Sequence, residues 1–213
     1  MNRTTRIFSL TLALAAALAA LGATAEAQDK VTFGTNWRAQ AEHGGFYQAV
    51  ATGIYAKHGL DVTIRQGGPN INHPQLLAAG RIEFNMGGNL NSIFNYAESN
   101  IPAMAVAAIM QKDPQVLITH PGQGNDTLAQ LKGKPIMLGR GGQLTFFQWL
   151  KADFGYTDDQ VRPYTFNVAP FLADKQAIQQ GYITSEPYTI EKEGRIKPHS
   201  ILLADFGYDT YAT

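Results

Sequence analysis

Residues 31–62 constrain the fold more than any other part of the chain. An apolar run at 31–34 ends in a polar loop carrying one large aromatic, Asn36-Trp37, and two glycines, Gly44-Gly45, then open a helical pattern. Phe46, Val50 and Ile54 recur at i, i+4 and i+8, with Tyr47 and Ala51 beside them, which predicts one apolar stripe facing a core. Gly59 is placed to stop that helix in the left-handed conformation, and residues 61–64 alternate as a second strand. Strand, loop, helix and strand in that order predict an α/β fold. The Asn36-Trp37 loop then sits where parallel sheets bind ligands.

The rest of the chain continues the alternation. Asn72 or His73 can cap a short helix with Pro74 in its first turn, Leu76 and Leu77 inward and Gly80 as its stop. Residues 82–86 read as a short strand, Gly87-Gly88-Asn89 as a turn, and Leu90, Ile93, Phe94 and Ala97 as the next helical stripe. Residues 102–110 are almost uninterrupted apolar and predict a buried parallel strand. Another strand is expected at 115–119. His120-Pro121-Gly122-Gln123-Gly124-Asn125 is the strongest linker signal, and it places a boundary and a hinge there. Beyond it, residues 136–138 predict a strand, and Gly139-Arg140-Gly141-Gly142-Gln143 a turn. Phe146, Phe147, Leu150 and Phe154 predict a helix ending at Gly155. Residues 161–166 predict a strand, 171–180 a helix stopped by Gly181, and 182–184 a strand ending at Ser185-Glu186-Pro187-Tyr188. The last strand is expected at 201–204.

The N-terminus predicts export. Arg3 and Arg6 precede an apolar run at 7–21, followed by small residues that fit cleavage after Ala27. The run is short for a membrane span, though a retained anchor is the alternative. The chain has no cysteine, which excludes disulfides, thiol catalysis and cysteine metal centres. Lys plus Arg and Asp plus Glu are equal at 17 each, without a basic block, which argues against nucleic acid as a partner. His43, His58, His73, His120 and His199 are scattered without chelating spacing, so no metal is expected. No G-x-S-x-G, no nucleotide-binding glycine motif and no tied carboxylate pair predicts an enzyme or a cofactor.

In order, Trp37, then His43-Gly44-Gly45-Phe46-Tyr47-Gln48-Ala49, Gly53-Ile54-Tyr55 and Gly59-Leu60-Asp61-Val62 resemble the solute-binding proteins of bacterial ABC importers. The likeness is to the group taking up sulfonates, nitrate and thiamine-pyrimidine precursors. Ile54 departs from the family's usual aromatic or Leu. The resemblance implies a two-lobed type II periplasmic binding protein fold, with a signal peptide at 1–27, a first lobe at 28–120 and a second at 121–213. It also implies that the return crossing to the first lobe would begin near Thr213 and that the family's C-terminal part is missing. The implied role is a periplasmic, monomeric, non-enzymatic receptor that hands a small ligand to an inner-membrane permease and its ATPase subunit. One enzyme of the fold group, a pyrimidine synthase, depends on a Cys-rich motif that this cysteine-free chain lacks.

Twelve residues are candidates for ligand contact. Trp37 could stack on a planar ligand or form a lid over the core. His43 could donate to a ligand or cap the following helix. Gly88 and Asn89 in one glycine turn, and Arg140, Gly141 and Gly142 in the other, could present backbone N–H groups, although tight turns need glycine anyway. Glu186 could accept hydrogen bonds from an aminopyrimidine, as the corresponding carboxylate does in the pyrimidine-precursor binders, or could be an exposed loop residue. Tyr188 would add an aromatic wall, and Asn36, Tyr47 and Asn70 polar contacts. Arg140 could instead pair with an anion such as an alkanesulfonate, taurine, nitrate or a carboxylate, leaving two ligand classes open.

Overall fold

The computed structural model describes residues 28–212, so the expected leader at 1–27 lies outside the described residues. The first lobe is built on a three-stranded parallel sheet of order β2-β1-β3: β1 Asp29–Gly34, β2 Leu60–Arg65 and β3 Phe84–Asn85. Its helices are α1 Gly44–Ala51, α2 Ile54–Lys57, α3 His73–Ala78 and α4 Asn91–Glu98. The expected turn signals hold. Gly59 (φ 74°) and Gly80 (φ 61°) are left-handed, and the Asn72 side chain caps α3 by accepting from Gln75 N at 3.2 Å.

The second lobe carries a five-stranded sheet of order β6-β5-β7-β4-β8: β4 Gln115–Thr119, β5 Ile136–Leu138, β6 Val161–Pro163, β7 Ile178–Tyr182 and β8 His199–Leu202. β4 is antiparallel to both neighbours, and β5 is parallel to β6 and β7. The helices are α5 Arg140–Leu144, α6 Phe146–Phe154, α7 Ala169–Ala173 and α8 Glu186–Gly194. Strand alternation feeds two cores. Leu117, Ile136 and Leu138 point to one side, packing with Phe146, Phe147 and Leu150. Val116, Ile118 and Met137 point to the other, packing with Phe171 and Ile190. A sheet covered on both faces explains why β4 and β5 are buried at every position.

Several expectations are corrected. β4 precedes the expected boundary at 120–125 yet lies inside the second sheet, so the change of lobe occurs between β3 and β4. The return crossing has already begun before Thr213. Residues 208–212 run antiparallel to 109–113, with Asp113 N to Thr210 O at 3.1 Å and Ala212 N to Met110 O at 3.1 Å. These two adjacent segments, not the 120–125 loop, join the lobes.

The run 102–110 forms no strand apart from the Met110–Ala212 bridge, and Met104 (79%) and Val106 (72%) are exposed. Apolar composition alone does not make a strand; a ladder partner is also required, and Pro102 has no N–H to offer one. The stripe through Val50 and Ile54 is also half exposed, because Gly53 (φ 71°) breaks the helix and Ala49 takes the buried position. In α4, Tyr96 is the buried residue, while Phe94 points outward.

Residues 171–180 are not one helix. Asp174 ends α7 by accepting from Gln176 N at 2.9 Å, and β7 follows. Gly181 lies in that strand because a Cβ there would sit 2.6 Å from Glu186 Cβ. The expected strand at 161–166 stops at Pro163.

Phe147→Ala, which removes a fully buried ring from α6, is expected to cost about 3–5 kcal/mol. Phe94→Ala, at a position 64% exposed, should stay within about 0.5 kcal/mol. Urea denaturation of both variants reads the contrast, and similar losses would contradict the burial pattern.

Candidate functional site

A cavity of about 660 Å³ lies between the lobes. The first lobe contributes Asn36, Trp37, Gln40 and Glu42 from the loop after β1, and Gly88 and Asn89 from the turn before α4. The second contributes Gly141, Gly142, Gln180, Tyr182 and Glu186, with Asp113 and Gln115 at the crossing.

The Trp37 loop is held by its neighbours. Thr35 Oγ1 donates to Trp37 O at 2.7 Å, and Gly67 N donates to the same carbonyl at 3.3 Å. Any Cβ at Gly67 would collide with the Thr35 and Asn36 backbone, so glycine is required there. The indole crosses to the second lobe, stacking on Tyr164 (5.7 Å, 27°) and meeting Phe166 edge-on at 4.6 Å. Gly139 leaves room for it, since a Cβ would be 3.1 Å from the ring. Trp37 is therefore both a lid residue and a cavity wall.

Glu186 is the first residue of α8, with Pro187 in its first turn, rather than the end of a strand. It is 4% exposed. Oε2 accepts from Tyr182 N at 2.8 Å, and Oε1 from Gln40 Nε2 at 3.1 Å and Tyr164 Oη at 3.3 Å. Burial pushes its pKa up, with Glu42 adding to the rise, and the Tyr182 N and Gln40 donors oppose that shift. Glu42, from the opposite lobe, accepts from Ser185 Oγ at 2.7 Å and Thr184 Oγ1 at 3.2 Å. Tyr182 bridges the lobes too: it accepts from Asn36 Nδ2 at 3.4 Å and donates to Gly88 O at 3.2 Å. Burial raises its pKa far out of the working range.

His43 is fully buried and does not line the cavity. Gln40 N donates to its Nδ1 at 3.2 Å, so Nε2 carries the proton and donates to Asn36 Oδ1 at 2.9 Å. Burial lowers its pKa, against Glu42, and keeps it neutral. It caps the short 3-10 turn at Ala41–His43, not the helix that follows, and it orients Asn36. Asn89 is likewise committed, donating to Tyr208 Oη at 2.6 Å.

Seven of the expected residues meet in the cavity: Asn36, Trp37, Gly88, Asn89, Gly141, Gly142 and Glu186. His43, Tyr47, Asn70, Arg140 and Tyr188 do not line it; Arg140 and Asn70 are exposed, and Tyr188 is 69% exposed. Among the described residues the lining includes Glu42, Glu98, Asp113 and Glu186, and no Lys or Arg. Gln40, Glu42, Asp113, Gln180 and Tyr182 were not expected. Polar residues inside otherwise buried strands, Gln115 and Gln180, were the available signal.

Asp113 is 2% exposed and accepts from Gln115 N at 2.8 Å. Burial pushes its pKa to about 6. A free Asp titrates near 3.9. Between roughly pH 4 and 6 the native state therefore keeps a proton that the unfolded chain releases, so this group's contribution falls as pH rises through that window. Asp113→Asn is expected to raise stability at pH 7 by up to about 3 kcal/mol, at about 1.4 kcal/mol per pKa unit, and to flatten the decline. Melting curves from pH 4 to 7 check this, and an unchanged pH slope would contradict it.

The fold and family agree with known proteins. The chain superposes on an ABC uptake transporter substrate binding protein from Streptococcus pneumoniae with bound histidine. The TM-score is 0.60 at 20% identity, over 86% of this chain and 77% of that one. The periplasmic aliphatic sulphonate binding protein SsuA from Escherichia coli matches with a TM-score of 0.54 at 13% identity, over 86% of this chain and 60% of that one. In sequence, 108 residues are 25% identical to 4-amino-5-hydroxymethyl-2-methylpyrimidine phosphate synthase from Schizosaccharomyces pombe. That alignment spans 51% of this chain and 31% of the relative. The chain thus has the two-lobed periplasmic binding protein fold, and with residues 40–213 matching the family model "NMT1/THI5 like", it belongs to the NMT1/THI5-like family.

Proposed function

We propose that this chain is the exported, ligand-capturing receptor of an ABC importer, and that its ligand is a small planar nitrogen heterocycle of the aminopyrimidine type. The observation that carries the ligand class is the charge of the cavity. Glu42, Asp113 and Glu186 line it, and no Lys or Arg does among the described residues. An amino-substituted ring supplies N–H donors for such carboxylates and a flat face for Trp37. A sulfonate or nitrate would meet uncompensated negative charge, and Arg140, its expected partner, is exposed outside the cavity. The receptor role draws on the shared fold and on contacts that join both lobes across the cavity, through Gln40–Glu186 and Glu42–Ser185. A ligand touching both lobes would favour their closed arrangement. A permease and its ATPase subunit would be the partners, and export would follow from the leader.

The synthase name of the Schizosaccharomyces pombe relative raises an enzymatic reading, and one experiment addresses both. A thermal-shift screen would set 4-amino-5-hydroxymethyl-2-methylpyrimidine against taurine, a longer alkanesulfonate and nitrate, with recovered pyrimidine analysed by mass spectrometry. A ligand at a hundred times its Kd adds about 2.7 kcal/mol. That corresponds to roughly 5–10 °C for a domain of this size. A shift with the pyrimidine alone, recovered unchanged, is expected, and Glu186→Gln should weaken binding about 10-fold or more. A shift with the anions alone overturns the ligand class, and a converted pyrimidine overturns the receptor role.

A further inference from the structure

The cavity extends past Trp37 and Glu186 into the first lobe, where three polar side chains converge. His73, the first residue of α3, is 4% exposed, and its imidazole lies on Gly34 at the end of β1. A Cβ at Gly34 would be 2.9 Å from Nδ1, so glycine there makes the seat for the ring. Gly34 pairs with Asn85 of β3, which brings Asn85 beside His73. Asn85 Nδ2 donates to Tyr96 Oη at 3.0 Å, and Tyr96 is 5% exposed. All three line the cavity.

Two atoms of this cluster, His73 Nε2 and Asn85 Oδ1, are buried without a hydrogen-bond partner among the described residues. A buried polar atom left unmatched costs about 1–3 kcal/mol, so two in one cluster facing one cavity call for a polar occupant. Burial and Arg65 lower the His73 pKa, so the ring is neutral at pH 7 and offers one hydrogen-bonding position rather than a charge. At about 660 Å³ the cavity is also in the range that takes ligands larger than one bare ring.

We infer that His73, Asn85 and Tyr96 form a second, uncharged subsite that binds a hydroxyl-bearing substituent of the ligand whose ring is held at Trp37 and Glu186. A hydroxyl has one O–H and two acceptor positions, so it matches both atoms in one arrangement: it donates to Asn85 Oδ1 and accepts from His73 Nε2–H. The subsite rests on the aminopyrimidine reading and adds to it the part of the ligand that this chain selects.

The test is a cycle of ligand and residue truncation by calorimetry. The probes are 4-amino-2-methylpyrimidines carrying methyl, hydroxymethyl or hydroxyethyl at position 5, set against the wild type, Asn85→Ala and His73→Phe. The best hydroxyl probe is expected to bind the wild type at least about 10-fold more tightly than the methyl probe. That advantage should shrink to less than about 3-fold in Asn85→Ala. His73→Phe provides the same comparison should Asn85→Ala fail to melt cooperatively. Equal wild-type affinities for all three probes, or a hydroxyl advantage that survives in the folded variants, overturn the subsite while leaving the receptor reading intact. No binding of any probe to the wild type overturns both.

Discussion

The buried Glu186 carboxylate sets the terms for the rest of the structure. A charge taken out of water must be matched by donors or it is lost by protonation. Here the donors come from three places: the backbone of Tyr182 on its own lobe, the ring hydroxyl of Tyr164 beside it, and Gln40 from the other lobe. Each demands something of the sequence. Glu186 packs onto β7 only because residue 181 has no Cβ. It stands at the start of α8 because Pro187 needs no N–H partner in a first helical turn. Its three protein donors are in place together only when the lobes meet, because Gln40 belongs to the facing loop.

The same dependence runs through the crossing. β4 enters the second sheet antiparallel between β7 and β8, which brings Gln115 and Asp113 to the cavity floor. Residues 208–212 return alongside, and Tyr208 accepts from Asn89 of the first lobe. Asp113 is thus buried at the point where the two segments linking the lobes lie together. A protonatable group there couples the interlobe seam to pH, because ionising it places charge against Tyr182 and Tyr208.

Local chemistry was legible in the sequence, and long-range chemistry was not. Positive-φ glycines ended elements at Gly59, Gly80 and Gly155 as expected, because that conformation is nearly free only for glycine. The helix 146–154 and the strand before it followed from patterns that the structure keeps. Gly181 was misread because a glycine demanded by packing looks the same in sequence as one demanded by a turn. The run 102–110 was misread because apolar character reports a tendency to leave water, not a pairing partner. At the site, Trp37 and Glu186 were recognisable as types, while Gln40, Asp113, Tyr182 and His73 looked ordinary. Their roles depend on contacts spanning many residues, such as Gln40 to Glu186 across 146 positions.

Selectivity in such a cavity follows from what the protein leaves unpaired. The carboxylates of Glu42 and Glu186 already accept protein donors, yet among the described residues no Lys or Arg stands beside them in the cavity wall. The field they create in the cavity repels anions and favours N–H donors. The two ends of the cavity differ in kind, however. Glu186 gives one end a carboxylate beside aromatic rings, whereas His73, Asn85 and Tyr96 at the other are uncharged polar groups. A ligand carrying charge at both ends would gain only at one, and an apolar ligand would leave the His73 and Asn85 atoms unmatched. On the proposed reading, the cavity would select for the order of polarities along the ligand, donor-rich ring first and neutral hydroxyl second, as well as against negative charge.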